Sequence, residues 1–374
     1  MNVLVLTVST GQGHHSTGQA IVEYINRSGN EAKMVDAYEY ISPLISESIQ
    51  RSYLLTTKYT KKACGKVYRQ AEKADLTRHE NFVSVANHVL GNLLKPCIEE
   101  FQPDVIVCTH VMATQLLEAY MKKYKHKNVI TMGIITDFTI HPYWEGAKID
   151  YFITASELLG NQIRKKKIPL EKVRAFGIPI KEKFAHKYSR EEACAKLGIE
   201  NKTTVLVMSG SMGYGNVIKH VRALDELDMD FQIIVACGNN KAMKKKIDKM
   251  KHQKTIYTYG FVDTVDLMMD AAECIVTKPG GLSVSEALAK GLPLILMNPI
   301  PGQEDRNLEF LLNNGLAQYI TETYPVDEAV YQLLSNSWRL ENQKNGIRAV
   351  GKPYATRDLC EFILEVGNGS VENR

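Results

Sequence analysis

Long apolar runs are missing from this sequence, and its cysteines form no pattern. Hydrophobic stretches such as Val3–Leu6 and Leu292–Met297 fall far short of the roughly 20 residues that span a bilayer, so no transmembrane helix is expected. The seven cysteines, at 64, 97, 108, 194, 237, 274 and 360, are odd in number and include no Cys-x-x-Cys. That argues against a disulfide framework. No Cys/His pair stands at ligand spacing, which argues against a zinc site. Cys108, Cys237 and Cys274 lie in strand-like runs and read as small buried hydrophobes. The stretch after Met1 has neither the basic flank nor the small-residue cleavage site of a secretory leader, so a cytoplasmic protein is expected. Low-complexity segments and short repeats are absent too.

What is present is ordinary globular usage, 44% hydrophobic and 24% charged, which excludes disordered, collagen-like and coiled-coil chains. At about 150 residues per domain, 374 residues suggest two domains. The net charge of +4 is unevenly spread. Arg51–Lys73 holds seven basic residues (Arg51, Lys58, Lys61, Lys62, Lys66, Arg69, Lys73) against one acid, Glu72. Tyr53, Leu54, Leu55, Tyr59 and Tyr68 are interleaved with them, a mixture suited to an anionic headgroup layer. Lys241–Lys254 is as basic but lacks aromatics, and reads as a solvated helix face.

Short β-branched runs alternate with amphipathic stretches. Val3–Val8, Glu31–Val35, Val105–Cys108, Val129–Ile134 and Tyr151–Thr154 read as buried strands. The series restarts with Thr203–Met208, Phe231–Ala236, Thr255–Tyr259, Cys274–Thr277 and Pro293–Met297. Two such series predict two doubly wound α/β domains with parallel sheets. The expected boundaries are residues 1–177 and 178–350, joined at Gly177-Ile178-Pro179-Ile180. Residues 351–374 carry a last helical pattern, Pro353–Leu364.

Ligands of open parallel sheets bind beyond the carboxyl ends of the strands, so the loops there carry the functional reading. Ser9–Gly18 is a glycine-rich turn feeding a helix, a ready site for an anion or polar ligand. Gly13 and Gly18 have Walker spacing, but Gln19-Ala20 replaces the required Lys-Ser/Thr. Gly11 and Gly13 begin a dinucleotide fingerprint, yet Ser16 stands at the third glycine, and Asp36 alone keeps that reading open. His14 at the helix start should be held neutral by the positive helix end. Thr136-Asp137-Phe138 with His141-Pro142 and Trp144 suits a cleft wall, with Thr109-His110 a weaker counterpart. Local capping is the alternative for both the Gly11–Gly18 turn and Asp137. In the second half, Ser209-Gly210, Lys278-Pro279-Gly280-Gly281 with Ser283 and Glu286, and Pro301-Gly302-Gln303-Glu304 with Asn307 follow three strands. Together they indicate a nucleotide site: helix amides and Ser283 for phosphate, Glu286 for ribose hydroxyls.

These markers, in this order and over nearly the whole chain, resemble the monogalactosyldiacylglycerol synthase and processive diacylglycerol glucosyltransferase family. The carriers are Gly11-Gln12-Gly13-His14 with Ser16 and Ala20-Ile21, the Thr136–Trp144 cluster, Gly260-Phe261-Val262, Lys278–Gly281, Glu286-Ala287 and Pro301–Glu304. His15 departs from the arginine usual in plant relatives. The resemblance implies a GT-B fold of two Rossmann-like domains facing across a cleft, with the last helix returning to the first domain. It implies an enzyme that inverts the sugar as it passes from a UDP-hexose to diacylglycerol. No metal or cofactor, and no nucleic-acid partner, is implied. His14 would be the base, with Asp137 second. Phe261 and Val262 would meet uracil; Gly280, Gly281 and Ser283 the diphosphate; Glu286 ribose; Gln303, Glu304 and Asn307 the sugar hydroxyls; Ser209 and Gly210 would also bind the donor. Acceptor and membrane contacts would come from Gly13, His141 and Trp144 and from Tyr53, Lys58, Tyr59, Lys61, Lys62, Lys66 and Tyr68, placing the enzyme on the inner face of the cell membrane. A polyprenyl or other non-glyceride acceptor, and a non-catalytic nucleotide-sugar binder, remain alternatives. Glucose against galactose, the number of sugars added and the oligomeric state stay open.

Overall fold

The structure is a computed structural model and describes residues 1–9, 11–48, 90–124, 128–208, 210 and 216–372, with side chains to 369. Ser209 and the basic segment Arg51–Lys73, with Tyr53, Lys58, Tyr59, Lys61, Lys62, Lys66 and Tyr68, lie outside the described residues. The chain divides into two units. The first comprises Met1–Glu182, Ile300–Gln303 and the chain from Tyr354 on; the second comprises Lys183–Pro299 and Glu304–Pro353.

The first unit is built on β1 (Asn2–Thr7), β2 (Glu31–Asp36), β3 (Val105–Cys108), β4 (Ile130–Ile134), β5 (Tyr151–Ile153) and β6 (Val173–Arg174). They pair in the order β2-β1-β3-β4-β5-β6, all parallel. Alternate side chains of a strand point to opposite faces, and both faces are covered. Leu4 and Leu6 of β1, with Ile106 and Cys108 of β3, join Leu94, Leu116, Leu117 and Tyr120 in one core. Val3, Val5, Val105 and Val107 join Ile21 and Ile25 of the helix Gln12–Arg27 in the other. Leu359, Cys360 and Ile363 of the final helix, Ala355–Glu372, complete that second core. Each fully enclosed Leu, Val or Ile contributes about 1.5–3 kcal/mol, and two-sided burial is why these strands read as continuous apolar runs.

The second unit carries β7 (Thr204–Met208), β8 (Gln232–Ala236), β9 (Ile256–Tyr259), β10 (Cys274–Thr277), β11 (Leu294–Leu296) and β12 (Ala317–Tyr319). Their order is β12-β11-β10-β7-β8-β9, again all parallel. Ten strands fall where sequence patterning places them. β6 and β12 do not, because they are outermost strands of two and three half-buried residues and need no apolar run. In the Gly177–Ile180 stretch, Ile178 and Ile180 are buried. Thr17 Oγ1 donates to Pro179 O at 3.1 Å, and Thr356 Oγ1 donates to Ile180 O.

Sheet order locates the crevices. A gap opens where successive connections leave for opposite faces, which is between β1 and β3 in the first unit and between β7 and β10 in the second. Close packing beside the first crevice rests on Gly133 of β4. A Cβ there would lie 2.5 Å from Trp144 Cζ3 and 2.7 Å from Ile149 Cδ1. Gly133→Ala is therefore expected to lower stability by about 1–3 kcal/mol through overpacking. A urea unfolding midpoint equal to that of the parent would refute this account of the Trp144 seat.

Candidate active site

β1 leads through Gly11, whose φ of 148° is open to glycine, into the helix Gln12–Arg27, which has no side-chain cap. His14 lies in the first turn. Its Nδ1 is 2.9 Å from Thr109 O and 3.1 Å from Thr136 Oγ1. A carbonyl oxygen can only accept, so Nδ1 carries the proton and Nε2 keeps its lone pair. Thr109 follows β3 and Thr136 follows β4, so three strand ends converge on one imidazole. The Thr109 carbonyl is itself held in place: Thr109 N donates to Leu6 O at 3.0 Å and Thr109 Oγ1 donates to Thr7 Oγ1 at 3.0 Å. Burial holds His14 below the usual imidazole range, with the Thr109 bond pulling weakly the other way.

His110 stands against it, ring centroids 4.5 Å apart and planes at 86°. Its Nδ1 accepts Met112 N–H at 3.1 Å, at the start of the helix Val111–Tyr124. Burial pushes His110 well below the ordinary range, and the neighbouring His14 and His141 push the same way. Among the described residues, no group of three His, Cys, Asp or Glu side chains is placed to hold a metal ion.

The other expected residues of this unit divide. Gly13 sits in the same first turn as His14. Asp137 is half-buried and its Oδ2 accepts from Gln303 Nε2 at 2.6 Å; residues 300–303 group with the first unit. His141 caps the turn Pro142–Trp144 by accepting Tyr143 N–H at 3.1 Å. Trp144 is only 4% exposed and packs edge-on to Phe152 at 6.2 Å, so its ring is a core element. Asp36, which kept a dinucleotide reading open, is fully engaged. Its Oδ1 accepts from Tyr38 N and Glu39 N at 3.0 Å and its Oδ2 from Ser9 Oγ at 2.5 Å. Gly18 rather than position 16 gives the close helix–strand approach: a Cβ there would lie 2.7 Å from Met34 Sδ.

In the second unit, Gly210 follows β7 with φ 72°, and β10 runs through Lys278-Pro279 into the helix Gly281–Lys290. The cap residue, Gly280, offers that helix no side-chain acceptor, so its first amides are available to an anion. Ser283 and Glu286 lie on this helix, both half-buried. Lys278 Nζ stands 3.7 Å from Glu304 Oε1, both side chains largely enclosed. Asn307 is fully buried and its Nδ2 donates to Pro279 O at 3.0 Å, so it clips the loop in place. Phe261, just past β9, is 65% exposed, and Val262 is half-buried. His110, Thr136 and Lys278 stand within sequence motifs but are given no individual role there. Each directly follows a strand or its flanking residue at a crevice, a signal that becomes specific only once strand order is known.

Residues 14–180 match the family profile of monogalactosyldiacylglycerol (MGDG) synthase, and residues 204–354 match the glycosyltransferase family 28 C-terminal domain. The chain belongs to this family of glycosyltransferases. One relative in it, the processive diacylglycerol beta-glucosyltransferase of Bacillus pumilus, is 28% identical over 383 residues, covering 100% of this chain and 97% of that protein. Among solved structures, Acinetobacter baumannii MurG superposes with a TM-score of 0.64 at 14% identity, over 97% of this chain and 99% of that one. The UDP-GlcNAc 2-epimerase of Neisseria meningitidis superposes at 0.60 with 12% identity, over 98% and 100%. These likenesses show the GT-B fold; since they include an epimerase, the fold alone does not name the reaction. No helix among the described residues of this family member is long and apolar enough to cross a membrane.

The depressed histidines set a pH expectation. The unfolded chain takes up protons near pH 6.5 while the folded chain resists until lower pH. Stability from these two groups is therefore complete above about pH 6.5 and falls as the pH drops below it. Imidazole ¹⁵N shifts should show both rings neutral at pH 6.5, with the proton on Nδ1 of His14 and on Nε2 of His110. Half-protonated rings at that pH would overturn this.

Proposed function

We propose that this chain transfers a hexose from a UDP-hexose to the hydroxyl of diacylglycerol with inversion at the anomeric carbon. The observation that carries the reading is the paired crevice chemistry: an imidazole fixed as a proton acceptor in one unit, an uncapped helix N-terminus in the other. The acceptor hydroxyl gives its proton to His14 Nε2 as its oxygen attacks the anomeric carbon. The bond from that carbon to the diphosphate breaks, and UDP leaves with the electron pair. The amides at the start of Gly281–Lys290, aided by Ser283 and Gly210, receive the developing charge as preorganised donors. Glu286 accepts from the ribose hydroxyls, and Phe261 and Val262 flank the uracil. Gln303 and Glu304 read the sugar, while Asn307 acts through the loop it clips. Asp137 is the alternative base; its bond to Gln303 supports a positioning role instead. Glucose is the hexose named for the Bacillus pumilus relative and is the first donor to test. Arg51–Lys73 supplies the composition of a peripheral membrane contact.

Incubation with UDP-glucose or UDP-galactose and diacylglycerol vesicles, followed by lipid mass analysis, tests the reading. Transfer only to a polyprenyl acceptor, or UDP binding without any product, would replace it. His14→Ala should lower turnover roughly 10²–10⁴-fold with UDP affinity unchanged. Glu286→Ala should do the reverse, weakening UDP binding by about 1.5–3 kcal/mol in calorimetry. Equal affinity in parent and variant removes Glu286 from the ribose.

A further inference from the structure

We infer that His110 is a second acceptor-binding residue, its Nε2–H donating to the oxygen of the same hydroxyl whose proton passes to His14 Nε2. The inference rests on the transfer reading above and deepens it. Two backbone groups fix two complementary tautomers. Thr109 O accepts from His14 Nδ1 and leaves Nε2 as an acceptor; Met112 N–H donates to His110 Nδ1 and leaves the proton on Nε2. A hydroxyl has one proton to give and lone pairs to receive, so one donor beside one acceptor is its complement. The two rings are in edge contact, centroids 4.5 Å apart and planes at 86°, so both present their groups to one crevice. Both residues follow the strands that flank the crevice, β1 and β3. Among the described residues no partner is recorded for either Nε2. Burial keeps His110 uncharged, so it orients the hydroxyl without repelling the proton that His14 takes, and it keeps its own proton throughout.

The experiment separates this role from helix capping. His110→Gln keeps an amide N–H near the Nε2 position. His110→Asn keeps an acceptor near Nδ1 and is a favoured cap for Met112 N–H. With the full chain, saturating UDP-glucose and diacylglycerol vesicles, the Gln variant should stay within about tenfold of the parent in kcat/KM for lipid. The Asn variant should lose about a hundredfold or more, with UDP affinity unchanged in both. Asn active and Gln inactive means a cap alone and overturns the proposal, as does equal loss in two variants that melt like the parent. In the unmodified enzyme, a short-chain diacylglycerol should shift the His110 Nε2–H resonance, and no shift overturns the proposal without reference to any variant. An unmodified enzyme that glycosylates no lipid removes the transfer reading and this inference with it, whereas an active parent with the wrong variant order removes the inference alone.

Discussion

A backbone carbonyl cannot donate a hydrogen bond, and the chemistry of the first unit depends on that fact at Thr109. Because its oxygen meets His14 Nδ1, the neutral imidazole has one available tautomer, with Nε2 open, and burial favours the neutral form. The carbonyl does not drift, since Thr109 is tied by its own N–H and hydroxyl to the end of β1. The parallel pairing of β1 with β3 is thus transmitted to the tautomer of a side chain. Thr136, from the end of β4, adds a third support.

The two units use the same local device, a strand running through glycine into a helix, for opposite ends. In the first, the positive helix end and burial act together against a charged imidazole at its first turn. In the second, the helix Gly281–Lys290 starts without a side-chain cap, so the same dipole and free amides favour a negative group. Lys278 adds a cation there, partly balanced by Glu304. What differs is the occupant of the first turn: a titratable ring in one case, Gly281 and the Ser283 hydroxyl in the other.

Enclosure sorts the polar residues of these loops into two kinds. Asn307, buried and bound to the Pro279 carbonyl, and Asp36, engaged through both oxygens, hold backbone in place. His14, Ser283 and Glu286 remain partly accessible, which is what contact with a ligand requires. Trp144 belongs with the first kind: its ring fills the space left by Gly133, and the turn Pro142–Trp144 is anchored through it.

Much of this was legible in the sequence for a physical reason. Strands buried on both faces must be apolar throughout, so the eight inner strands announce themselves, and glycine-rich strand-to-helix turns mark where ligands bind. The same composition fixed the absence of long apolar runs and pointed to His14, Glu286 and the Gly280-Gly281 turn. The edge strands β6 and β12 were not legible, since two or three half-buried residues are too few to show a pattern. Nor was the partnership of His14 with Thr109, Thr136 and His110, residues about 95 to 122 positions away. Only the order β2-β1-β3-β4 brings those strand ends together, and local sequence carries no record of which strand lies beside which.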